Sequence, residues 1–99
     1  MSAYADIDDV IRIRVEGAGS TLFVEWAGAE ARFFYVSGGV ECFQVSVDPP
    51  VGGRVQVVAC SVDTVDDQQF EQSWRGPVDD IDRLLALALA KVEEWKNRS

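Results

Sequence analysis

Hydrophobic positions recur with two different periods along this chain. From Val10 to Trp74 apolar and polar residues alternate in short runs. Beyond Gly76 the apolar positions fall three and four apart. The first pattern predicts half-buried strands and the second an amphipathic helix. Val10–Val15 sets Ile11, Ile13 and Val15 against Arg12 and Arg14, and is expected as the first strand. Thr21–Trp26, Ala31–Val36, Val40–Val47 and Arg54–Val62 repeat the alternation, and Phe70–Trp74 reads as a sixth strand anchored only by Phe70 and Trp74. Gly17–Ser20, Ala27–Glu30, Ser37–Gly39 and Asp48–Gly53 separate them with turn residues.

The segment Gly76–Trp95 is the longest helical pattern. Pro77 suits a first helical turn, and Asp79, Asp80 and Asp82 suit the positive end of the helix dipole. Ile81, Leu84, Leu85, Ala88, Val92 and Trp95 make one stripe, with Leu87 nearly opposite. The expected fold is α+β: an antiparallel meander of five or six strands, open or curled toward a half-barrel, with one C-terminal helix over one face. A single domain spans residues 1–99. Residues 1–9 are read as a flexible arm, 10–74 as the strands and 77–97 as the helix.

Short hairpin loops suggest registers that keep apolar residues together on the helix side. A loop at Gly28-Ala29 sets Glu25 opposite Arg32 and Phe23 opposite Phe34. A Ser37–Gly39 loop sets Phe33 opposite Phe43, and a Pro49–Gly53 loop sets Cys42 opposite Cys60. On these registers one helix leaves an apolar outer face uncovered. Phe23, Phe34, Val36, Val40, Cys42, Val58, Cys60 and Val62 form that patch, bordered by Arg12, Arg14 and Arg32. An exposed patch of this size points to a partner surface, unless the sheet closes on itself.

Charge narrows the partner. Seventeen Asp and Glu against nine Lys and Arg give a net charge of −8. Such a surface repels phosphate backbones and anionic lipid, so nucleic acid and membrane are not expected partners. No apolar run is long enough to span a bilayer, and the first residues carry no basic or apolar leader pattern, so a cytoplasmic location is expected.

Candidate chemistry is sparse. The chain has no histidine, which removes His-based triads and the commonest metal ligand. Cys42 and Cys60 form no C-x-x-C motif, and reduced thiols are expected for them. The acidic groups Asp6-Asp8-Asp9, Asp63-Asp66-Asp67 and Asp79-Asp80-Asp82 lack the spacing of a calcium loop. No cofactor, metal or catalytic residue is expected. The reading that suits size and charge is a non-enzymatic protein-binding module, of the inhibitor or immunity type, for a basic partner. A homodimer through the apolar outer face is the alternative. A small carboxylate enzyme is a further one, and it needs a pocket holding two carboxylates.

The helical stripe makes a direct prediction. Leu85→Ala should cost about 2–5 kcal/mol in denaturant unfolding, as truncation of a buried leucine does. Leu87→Ala should stay within about 0.5 kcal/mol, and equal losses would mean that the helix presents another face.

Overall fold

The structure is a computed structural model, and it describes residues 4–38, 41–62 and 70–98. A turn at Tyr4–Ile7 leads into helix α1 (Asp8–Gly17). Five strands follow: β1 (Phe23–Trp26), β2 (Ala29–Gly38), β3 (Glu41–Val47), β4 (Arg54–Ser61) and β5 (Glu71–Pro77). A 3-10 turn at Val78–Asp80 then runs into helix α2 (Ile81–Arg98). The sheet is an antiparallel meander in the order β1-β2-β3-β4-β5, and it is open. Both helices lie on the same side of it. The architecture is therefore the expected α+β meander with a C-terminal helix, plus a second helix.

The expected strand at Val10–Val15 is the central part of α1. Alternation there is misleading, because Ile11, Ile13 and Val15 also contain the helical pair Ile11–Val15. Ile7 and Tyr4 extend that pair at spacings of four and three. Tyr4, Ile7, Ile11 and Val15 are all buried, whereas Ile13 is 72% exposed. Asp8 and Asp9 occupy the first turn and favour its dipole. Residues 4–7 are thus packed structure and not part of a loose arm.

α2 buries Ile81, Leu84, Leu85, Ala88, Val92 and Trp95 against the sheet, with Leu87 at the surface. Trp95 stacks on Phe70 at 5.3 Å and lies 5.8 Å from Phe43, so the last turns of α2 are anchored on the strands. Gly76 sits beneath Leu84; a β-carbon there would lie 3.6 Å from the leucine, an ordinary van der Waals contact. The inner face of the sheet contributes Phe34, Phe43, Val45, Val47, Val55, Val57 and Ala59, all buried.

Registers differ from expectation in a telling way. Ala27 and Gly28 both have positive φ, at 54° and 81°, so they form the two-residue loop of the first hairpin. Trp26 therefore faces Ala29 and Glu25 faces Glu30, and an irregularity then brings Phe23 opposite Phe33. In the next hairpin Phe33 pairs Ser46 and Val36 pairs Phe43. Both shifts carry β2 over by an odd number of residues, which exchanges its faces. Arg32, Phe34 and Val36 turn toward the helices, and Phe33 and Tyr35 turn away. The β3–β4 shift is two residues, so those faces stay as expected, but Cys60 pairs Gln44 in place of Cys42.

Ile11 and Ile13 discriminate helix from strand in solution. Ile11→Ala should lose about 2–5 kcal/mol, and Ile13→Ala should stay within about 0.5 kcal/mol. A strand would bury both on one face, and comparable losses in denaturant melts would refute α1.

Candidate functional site

The expected outer patch separates into groups. Phe23 remains on the outer face, 43% exposed, and Val58, Cys42 and Cys60 lie on that face half-buried. Val62 is exposed at the end of β4, where its N–H donates to the Cys42 carbonyl at 2.9 Å. Val40 lies outside the described residues.

The other candidates are elsewhere. Phe34 is fully buried and Val36 packs against the core. Arg12 is exposed on α1, and Arg14 reaches across to Asp82 of α2 at 2.6 Å. Arg32 is an inner-face residue, 7% exposed. The border of three arginines is therefore absent from the outer face, because two of them belong to a helix and the third follows the exchanged faces of β2.

An aromatic cluster occupies the β1–β2 end of the outer face in their place. Phe23 stacks on Phe33 with centroids 5.2 Å apart and planes at 11°. Tyr35 meets both rings edge-on, at 5.7 and 5.8 Å, and Trp26 meets Phe33 edge-on at 5.9 Å. Phe33 is almost fully covered by its neighbours, but Trp26 is 66% exposed. Sequence alternation placed Trp26 and Phe33 inward. Ala27-Gly28 as the loop moves the register by two and exchanges no face; the irregularity between Phe23 and Glu25 and the three-residue β2–β3 displacement turn these residues outward.

Trp26 and Phe33 form one wall of a cavity of about 280 Å³ where β2 and β3 diverge; Tyr4, Arg32, Glu30 and Asp48 also line it. Arg32 is locked in place. Asp8, in the first turn of α1, accepts from its Nε at 2.6 Å and its Nη2 at 3.1 Å, and Glu30 accepts at 3.4 Å. The guanidinium also lies 4.5 Å from the centre of the Tyr4 ring and donates to the carbonyls of Ala31 and Val24. The Asp8 bond holds its pKa above the ordinary arginine value, so it is a permanent cation.

The electrostatic balance of the cavity is negative. In its lining one cation, Arg32, faces two carboxylates, Glu30 and Asp48, and Asp8, outside the lining, is bonded to Arg32. Tyr4 senses the same field. Burial chiefly raises its phenol pKa; Arg32 pulls it down, and Asp48, Glu30 and Asp8 push it up. Its hydroxyl donates to the Val47 carbonyl at 2.9 Å, joining the N-terminal turn to β3.

Neither thiol is placed for redox work. Both cysteines are free, and Cys60 is held above the usual thiol pKa by burial and then by Glu71, which disfavours the thiolate. Among the described residues no three Cys, Asp or Glu side chains converge as a metal site. Residues 63–69, which include Asp63, Asp66 and Asp67, lie outside the described residues.

No family model matches this chain, and no match was found among curated proteins or solved structures.

Tyr4 gives the site a pH signature. Its pKa is raised on folding, so the native chain keeps a proton that the unfolded chain gives up near pH 10.0. Stability from this group is complete below pH 10.0 and is lost as pH rises through the higher native value. Tyr4→Phe should cost about 1 kcal/mol at neutral pH. It should also flatten the alkaline limb of a stability–pH curve by up to about 1.4 kcal/mol per pH unit. An unchanged limb would show that Tyr4 ionises as freely in the folded chain as in the unfolded one.

Proposed function

We propose that this chain is a non-enzymatic protein-binding module that recognises a basic partner through the outer face of its sheet at the β1–β2 hairpin. The observation that supports it is Trp26, a large aromatic side chain left 66% exposed beside a cavity lined by Glu30 and Asp48. A cationic side chain entering there meets an indole and two carboxylates, which is the chemistry that recognises lysine or arginine. Phe23 and Val24 extend the exposed apolar surface, and Glu25 adds a carboxylate at the hairpin. Aromatic anchors inside a charged rim are the usual make-up of a binding hot spot.

Charge also bears on the homodimer alternative. Two copies meeting at this cavity would bring Glu30 and Asp48 of one toward those of the other. That repulsion favours a basic partner over a second copy on this face. A protein that occupies and neutralises a basic surface, as an inhibitor does, is the specific form of the reading. Against proton-transfer chemistry stands the engagement of Glu30 by Arg32, which gives that carboxylate a structural charge to balance.

Affinity capture with the wild type and Trp26→Ala, followed by calorimetry on the purified pair, tests the proposal. The expected result is a basic protein that is retained by the wild type and lost from Trp26→Ala. It should be released as salt approaches about 1 M, where the Debye length is about 3 Å. Capture insensitive to both salt and Trp26 would overturn it.

A further inference from the structure

The far edge of the sheet carries a second surface. In an antiparallel ladder the N–H and C=O of one residue point to the same side, and successive residues point to opposite sides. Ser61 donates to the Phe70 carbonyl, Val78 donates to the Gly53 carbonyl, and the pairs between them include Ala59–Gln72, Val57–Trp74 and Val55–Gly76. Phe70, Gln72, Trp74, Gly76 and Val78 therefore spend their backbone groups on β4. Glu71, Ser73 and Arg75 turn theirs to the outside, where no described residue pairs with them, and all three are exposed. Their side chains share the outer face of the sheet. Pro77 closes the edge, since it has no N–H to offer.

This edge is self-complementary. When β5 is laid antiparallel on a second copy about a two-fold axis at Ser73, Ser73 meets Ser73 and Glu71 meets Arg75. All six outward N–H groups of the two strands then find carbonyls. Glu71 and Arg75, directly opposite across the ladder, form two symmetric ion pairs when Arg75, which donates to Gln56 Oε1 at 2.7 and 3.0 Å in the single chain, turns to its new neighbour. Sliding by two residues one way sets Glu71 against Pro77, which keeps six bonds but loses both ion pairs. Sliding the other way sets Glu71 against Ser73, leaving four bonds and no ion pair. Only the first register satisfies backbone and charge together.

We infer that β5 is a homodimerisation edge: two copies of this chain join β5 to β5 in that register and build one continuous ten-stranded sheet. The contact is isologous, as a two-fold dimer requires. It lies at the opposite edge from Trp26, so it leaves the β1–β2 surface open and its failure would not touch the function proposed above. One strand edge buries less than a standard interface, so association belongs to the weak, transient class.

Sedimentation equilibrium from micromolar to millimolar chain concentration provides the test. The wild type should approach twice the 10.9 kDa chain mass. Glu71→Arg and Arg75→Glu, each placing like charges opposite one another, should raise the dissociation constant about tenfold or more. The doubly swapped chain, E71R with R75E, should recover wild-type association because each charge again meets its opposite. Ser73→Pro should abolish association, and Trp26→Ala should leave it unchanged. Far-UV circular dichroism of each variant separates lost association from lost fold. A wild type that stays monomeric at millimolar concentration overturns the inference. So does a dimer broken by Phe23→Asp and indifferent to β5, or a double swap as weak as the single ones.

Discussion

Arg32 is the residue on which the arrangement of this molecule depends. A guanidinium that is 7% exposed must be neutralised and hydrogen-bonded, since an unpaired buried charge costs several kcal/mol. Here α1 supplies Asp8, the N-terminal turn supplies the Tyr4 ring, and the β2 backbone supplies carbonyls. One side chain thus fastens the first helix to the second strand and fixes which face of that strand points inward. Once Arg32 points in, Phe34 and Val36 follow by alternation, and Phe33 and Tyr35 must point out. The exposed aromatic cluster is a consequence of where Arg32 goes.

The helices explain why that cluster has no lid. α1 and α2 pack side by side on the inner face, joined by the Arg14–Asp82 ion pair and by their buried stripes. The ion pair is exposed and contributes little; the apolar stripes carry the association. With both helices spent on one face, the outer face of a single-layer sheet stays open at Phe23 and Trp26. The Tyr4 hydroxyl bond to Val47 then sets the N-terminal turn at the mouth of the cavity beside Trp26. Fold and candidate site are therefore coupled: the contacts that cover the inner face also shape the cavity that opens beside the outer one.

How much of this could be read in the sequence depended on whether a pattern admitted one period or two. The stripe Ile81, Leu84, Leu85, Ala88, Val92 and Trp95 fits only a helix, and all of it is buried. Ile11, Ile13 and Val15 fit a strand as well as a helix. The deciding residues, Tyr4 and Ile7, lie in a stretch whose aspartates look like those of a solvated arm. The faces of β3 and β4 were legible because their register moved by two, a change that alternation does not notice. The faces of β2 turned on a shift by an odd number. That shift came from the irregularity between Phe23 and Glu25 and from the three-residue displacement of the β2–β3 pairing, neither of which alternation announces. The candidate site inherited the same error: Phe23 was recognised, whereas Trp26 was assigned inward and Arg32 outward.

The two sides of the sheet treat charge in opposite ways, and that contrast orders the rest of the surface. Inside, the buried Arg32 cation is matched at once by Asp8 and steadied by Glu30. Outside, the carboxylates near Trp26 outnumber the cations, so the aromatic surface sits in a negative field that attracts one class of partner and repels its own kind. At the β5 edge the balance changes again, because Glu71 and Arg75 are equal in number and spaced symmetrically about Ser73. A uniformly acidic edge would resist pairing with its own copy, and an uncharged one would pair in any register. Opposite charges two residues either side of a central serine form ion pairs in one register and not in the neighbouring ones, so the polar residues that would guard an edge strand here favour a single alignment.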